Sequence, residues 1–266
     1  MITKDEIKSY ISSIPPSPTV VKEVLLQLDN AELSKAAKSA SQDPSLKFYL
    51  QNIVNKPIYS FKNEIKDINQ IFGVLGLALA KQIIYNYMIL LLSPKEWKVF
   101  HLSKHQFSDF QDTLSLSWKK ILEYKQIKDK TLYSAISLLP ASILVCESLF
   151  QDRVDDVTLL RASNNIDYNT ILKRLSGMDL YDICKEIALA WDIPQEVSQL
   201  VLASKGEGSS LNDELTTLSK WMHLLFFYQL SQPLANQAGL NDFVEFNIEY
   251  VQDIYEEFQN LMMEES

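Results

Sequence analysis

Ile14-Pro15-Pro16-Ser17-Pro18-Thr19-Val20-Val21, then Ser41-Gln42-Asp43-Pro44-Ser45-Leu46, then Val54-Asn55, and finally Gly73-Val74-Leu75-Gly76 form an ordered run of helix starts and helix junctions. Ser17 can cap a helix whose first position is Pro18, because proline's missing N–H would be unpaired there in any case. Asp43-Pro44 repeats the device. Its carboxylate can accept from the free N–H groups of the first turn, and its charge suits the positive helix end. Gly73 and Gly76 permit a close backbone approach or a sharp change of direction.

Outward from this run the apolar spacing stays helical. Val20, Val21, Val24, Leu25 and Leu28 share one face, and Leu33, Ala36, Ala37 and Ala40 a smaller one. Leu46, Tyr49, Leu50, Ile53 and Val54 mark a third helix from Pro44, and Ile65 to Leu75 a short fourth. Residues 77–92 are apolar on nearly every side, as in a helix buried all round. Phe107–Lys125 and Thr131–Phe150 read as long helices, and 153–162 and 168–176 as shorter ones. Asp179 can cap a helix reaching Trp191, and Pro194 opens another to about Ala203. Lys205-Gly206-Glu207-Gly208-Ser209-Ser210 reads as a linker, followed by two long helices over 212–232 and 241–263.

Composition agrees. Of 266 residues 47% are apolar, enough for a sizeable core, and 6 glycines and 9 prolines are too few for an all-β chain. No strand-like alternation persists, so the expected fold is all-α: a multi-helix bundle of about a dozen helices without significant β-sheet. Residues 1–266 read as one unit, with possible subdomains 1–93, 94–205 and 206–266 and a seam near 93–106. The net charge of −9 disfavours nucleic acid and anionic lipid as partners. Cys146 and Cys184 read as small buried hydrophobes in a reducing compartment. The start, Met1 to Glu6, is charged and lacks the apolar region of a leader, and the longest apolar run, Tyr87–Leu92, is too short to span a bilayer. A soluble, cytoplasmic protein is the expectation.

The order Asp43-Pro44, Asn55, Leu75-Gly76 resembles the start of an HDOD domain, a relative of the HD phosphohydrolases that has lost their metal ligands. The resemblance covers about residues 10–205, including Pro16, Asp43, Pro44, Asn55 and Gly76 and a Trp-x-x-Pro turn at Trp191 and Pro194. It departs at Lys56, where relatives usually carry serine, and at Ala203-Ser204, where they often carry paired histidines. HD enzymes hold two metals with a His, an adjacent His-Asp pair and a later Asp, and the metals activate a water for attack on phosphorus. Here the His-Asp pair aligns with Pro140-Ala141, and no histidine lies near Leu114–Ser117, where the upstream ligand would fall.

Other constellations have plain readings. His101, His105 and Asp109, four apart, would share one face of a continuous helix, but span about 12 Å along its axis, too far for a single ion. They are weak metal candidates, set against a solvated surface. His223, in an apolar run from Trp221 to Phe227, reads as a satisfied core histidine, and the run itself as core or, second, as a protein or homodimer contact. Lys119, Lys120, Lys125, Lys128 and Lys130 read as a solvated helix end before an anion site. No nucleophile with a partner base and no phosphate loop is visible, so no catalytic residue, metal or cofactor is assigned. The resemblance implies a non-catalytic signal-transduction module that binds another signalling protein, with a homodimer possible. The alternatives are a residual metal-dependent phosphohydrolase and a pseudoenzyme that binds a nucleotide or cyclic dinucleotide without cleaving it.

Overall fold

A computed structural model describes residues 3–13, 19–164, 166–191, 193–207 and 212–263. Pro16, Ser17 and Pro18 lie outside the described residues, as does Asp192. The described residues are helical and contain no strand. The helices are α1 (Lys4–Ser13), α2 (Thr19–Asp29), α3 (Leu33–Ala40), α4 (Pro44–Val54), α5 (Ile68–Leu91), α6 (Lys104–Tyr124), α7 (Leu138–Phe150) and α8 (Val154–Asn164). They continue as α9 (Tyr168–Ser176), α10 (Leu180–Ala190), α11 (Gln195–Ala203), α12 (Asp213–Leu230), α13 (Pro233–Gln237), α14 (Ile248–Val251) and α15 (Tyr255–Met263).

The capping chemistry sets several of these starts. Asp43 Oδ1 accepts from the N–H groups of Ser45 at 2.8 Å and Leu46 at 3.0 Å, with Pro44 in the first turn of α4. Asp179 caps α10 in the same way, and Trp191 closes that helix. Pro194 is the N-cap of α11 and stands just before its first turn. Asn55 stitches the loop after α4. Its Nδ2 donates to the Gln51 and Ile65 carbonyls at 2.7 and 2.9 Å, and its Oδ1 accepts from the Ile65 N–H at 2.8 Å. Asp43→Ala should lower stability by about 0.5–2 kcal/mol in urea titrations, the usual cost of a lost cap.

Three segments differ from the sequence reading. The two helices expected over 65–75 and 77–92 are one element, α5, bent at Gly76, whose φ of 66° and ψ of 175° suit only glycine. Thr131–Phe150 is not one α-helix. Lys130–Ser137 winds as a 3-10 helix, with Asp129 capping Thr131, and passes into α7 at Leu138. The long terminal helix expected over 241–263 is broken. The Asp242 and Phe243 carbonyls accept from the first N–H groups of α9, at Tyr168 and Asn169, at 3.0 and 3.1 Å. Asn247 then caps α14, and α15 starts afresh at Tyr255. Tertiary hydrogen bonds take the carbonyls that a continuous helix would need.

One contiguous apolar cluster runs from Ile7 of α1 to Leu261 of α15. Ile68–Leu91 and Thr131–Phe150 are apolar enough to cross a bilayer by composition, but 67% and 89% of their apolar windows are buried. Both segments pack largely inside the fold. The Trp221–Phe226 run is buried as well, so core packing explains it. Cys146 and Cys184 are buried free thiols, and burial pushes both far above the ordinary thiol range.

The segment between α5 and α6 crosses the seam expected near 93–106. Glu147, fully buried on α7, holds it. The Glu147 carboxylate accepts from the backbone N–H groups of Lys98 at 2.6 Å, Val99 at 3.1 Å and Phe100 at 2.9 Å. Phe100 is thereby seated against Tyr168 and Phe243, with ring centroids 4.9 and 5.7 Å away.

Candidate functional site

The resemblance to HD enzymes sets their ligand pair at the start of α7. Leu138, Leu139, Pro140 and Ala141 are all buried there. Neither the Pro140 ring nor the Ala141 methyl offers a lone pair to a metal. The neighbouring polar atoms serve the backbone: Ser142 Oγ donates to the Leu139 carbonyl at 2.6 Å, and Cys184 Sγ donates to the Leu138 carbonyl at 3.2 Å. On α6, Leu114 and Ser115 are buried where the upstream histidine would stand. The donor set therefore does not fit the two-metal centre. Among the described residues no three His, Cys, Asp or Glu side chains gather in a metal-holding arrangement.

Beside this position lies a polar layer that sequence reasoning missed. Gln82 and Asn86, one turn apart on α5, face Gln111 and Ser115 on α6, all four 1% exposed or less. Asn86 Nδ2 donates to Ser115 Oγ at 2.9 Å and Gln82 Nε2 to the Ser115 carbonyl at 3.4 Å. The sequence signal was present. Gln82 and Asn86 are polar residues at i, i+4 inside a run read as apolar all round.

A second cluster ties the loop after α4 to α6. Lys56 Nζ donates to Asp112 at 2.6 Å, to Asp109 at 2.8 Å and to Ser108 Oγ at 3.2 Å. The Asp112 side chain is 1% exposed. Burial raises its carboxyl to about 6, against the pull of Lys56 and with Asp109 adding to the rise. Burial lowers the Lys56 ammonium, but the two carboxylates outweigh it and the net shift is upward. Tyr49 and Tyr59 pack near the same carboxylate, and burial raises both phenols. The departure at Lys56 thus has a physical partner: a lysine at this position supplies the charge that Asp112 lacks.

The weak metal candidates are divided by the helix start. His101 precedes Ser103, the N-cap of α6, so it does not share a helical face with the other two. His105 Nδ1 lies 2.9 Å from Asp109, whose other oxygen is held by Lys56. A cation on that carboxylate would meet the ammonium already there.

His223 is buried and bonded at both ring nitrogens. Nδ1 stands 2.8 Å from the Ser204 carbonyl and Nε2 accepts from the Asn247 N–H at 3.2 Å, which assigns the proton to Nδ1. Burial lowers its pKa, with the Ser204 bond opposing. A depressed pKa gives stability that is present above the unfolded value and lost as pH falls through the folded one. Urea midpoints should therefore fall on acidification below about pH 6.5, and His223→Gln should flatten that fall. The expected linker is engaged here too. Gly206, with φ of 85°, packs against the His223 and Tyr250 rings, and Lys205 bridges Asp179 and Glu207 at 2.9 and 2.7 Å.

The lysine cluster is mostly paired within the chain. Lys119 meets Glu123 at 2.8 Å, Lys120 donates to the Leu261 carbonyl at 2.8 Å, and Lys125 meets Glu257 at 3.3 Å.

Known proteins place this fold. The HDOD domain model matches residues 14–206, so the chain belongs to the HDOD family. An HDOD domain protein with unknown function from Geobacter sulfurreducens superposes with a TM-score of 0.64 at 15% identity, covering 97% of this chain and 94% of that one. A "putative phosphohydrolase" from Shewanella amazonensis SB2B superposes with a TM-score of 0.63 at 12% identity, covering 96% of each chain. Both share the HD-like helical fold. No curated protein matches the chain.

Proposed function

We propose that this protein is a non-catalytic HDOD module of bacterial signal transduction, cytoplasmic, that regulates by binding another protein. The observation that carries the reading is the buried Pro140-Ala141 pair at the start of α7, within the HDOD-matched span. A proline and an alanine cannot hold the metals that make HD chemistry possible. What the fold retains is a helical body around one contiguous apolar core, suited to presenting a surface.

The test is affinity purification of the full chain from its native cell with mass spectrometry. A receiver, kinase or cyclic-dinucleotide signalling protein should be enriched reproducibly, and purified components should reconstitute the pair. A chain that instead recovers only phosphorylated metabolites it then hydrolyses would contradict the reading.

A further inference from the structure

Two cavities of opposite character adjoin where α12 meets α6 and α15. The first is apolar, walled by Phe227, Phe246 and Phe258, and holds about 160 Å³. That is room for about six carbons, since about 150 Å³ admits a benzene ring. The second lies between α6 and α12 and holds about 460 Å³, within the usual small-molecule range of about 300–1,000 Å³. Tyr228 and Met262 line both, so the two meet at these side chains.

The larger cavity carries a polar group that the fold does not use. Gln229 lines it and is only 5% exposed, yet its carboxamide has no hydrogen-bond partner among the described residues. Buried amides are normally bonded, so this one marks a place where a ligand group completes the set. Lys119 and Lys120 stand in the same lining, two ammoniums against the one carboxylate of Glu123, in a chain whose net charge is −9. Lys119 meets Glu123 at 2.8 Å in a surface pair, which contributes little and leaves the ammonium open to a second anion. Lys120 donates to the Leu261 carbonyl at 2.8 Å, and an ammonium has three donors. The apolar cavity has no charged side chain in its lining among the described residues.

From the orphaned amide, the two lysines and the adjoining apolar cavity together, we propose that this place binds a small anionic amphiphile. A chain of about six carbons fills the apolar cavity, and a carboxylate or phosphate head accepts from Gln229 Nε2 and the Lys119 and Lys120 ammoniums. A cationic ligand would set its charge against two lysines, and a purely apolar one would leave the Gln229 amide without a partner. The site stands apart from the partner-binding reading, and either can fail without the other.

The probes are octanoate, octyl phosphate, octanol, octylammonium and butyrate, each titrated into the full chain by calorimetry below the concentration at which it forms micelles. Octanoate or octyl phosphate should bind saturably at one per chain, and the tighter of the two identifies the head. Octanol, octylammonium and butyrate should each bind at least about tenfold more weakly. Gln229→Leu should weaken the tighter probe at least about tenfold, because a bond to a charged group is lost. Its urea midpoint should be no lower than that of the wild type, because the amide holds nothing in the fold. Lys119→Gln should weaken the same probe more than Lys173→Gln, an equal charge change on α9. Octanol or octylammonium binding as tightly as the anions, several molecules per chain, full affinity in Gln229→Leu, equal loss from the two lysine variants, or no saturable binding would overturn the proposal. A Gln229→Leu midpoint well below wild type would overturn it too, by showing that the amide serves the fold.

Discussion

Glu147→Ala should cost at least about 3 kcal/mol, because it strands buried backbone donors at about 1–3 kcal/mol each. The carboxylate holds the N–H groups of Lys98, Val99 and Phe100, and no side chain in the segment duplicates it. Phe100 would lose its seat against Tyr168 and Phe243, so the damage spreads from the α5–α6 crossing to the start of α9. Glu147→Gln separates the causes. It keeps the shape but offers one acceptor oxygen in place of a charged pair, and charge-assisted bonds are about twice as strong as neutral ones. Urea unfolding should rank the wild type above Glu147→Gln and Glu147→Gln above Glu147→Ala. A Glu147→Ala variant within about 0.5 kcal/mol of wild type, the range of an ordinary surface change, would refute the assignment.

Lys56→Met should cost about 1–3 kcal/mol between about pH 7 and pH 8, because it leaves Asp112 buried without its counter-charge until the carboxyl takes up a proton. The pH dependence identifies the cause. Asp112 has a raised pKa in the folded state, so its contribution is fully present below the unfolded value near 3.8 and is lost as pH rises through about 6. Without Lys56 the carboxyl rises further. The deficit of Lys56→Met should therefore be small at about pH 5, where Asp112 takes up a proton, and large at about pH 8. Lys56→Met combined with Asp112→Asn should recover most of the loss, since removing both charges is far cheaper than removing one. A deficit independent of pH, or no recovery in the double variant, would show that Lys56 acts through packing of its stem.

The sequence made some of this legible and hid the rest for physical reasons. Asp43, Asp179 and Pro194 announce helix starts because capping is local, needing only the residue and the next turn. Gly76 announced a junction, but not whether the chain would break or bend. The φ of 66° resolves it as a bend inside α5. The terminal segment misled because Phe243, Phe246, Tyr250, Ile254 and Phe258 keep helical spacing while the carbonyls of Asp242 and Phe243 are claimed by α9, a contact 74 residues distant in sequence that no periodicity encodes. At the candidate site the loss of ligands at Pro140 and Ala141 is visible in the letters alone. The answering groups are not. Lys56 finds Asp112, and Glu147 finds residues 98–100, only through the fold.

The central claim is that the start of α7 cannot assemble a metal centre, and it is tested by equilibrium dialysis of the purified chain against Mn²⁺, followed by turnover of bis(p-nitrophenyl) phosphate. The account predicts substoichiometric metal and no hydrolysis above the protein-free rate. One or more tightly held ions per chain, with turnover that tracks occupancy, would contradict it.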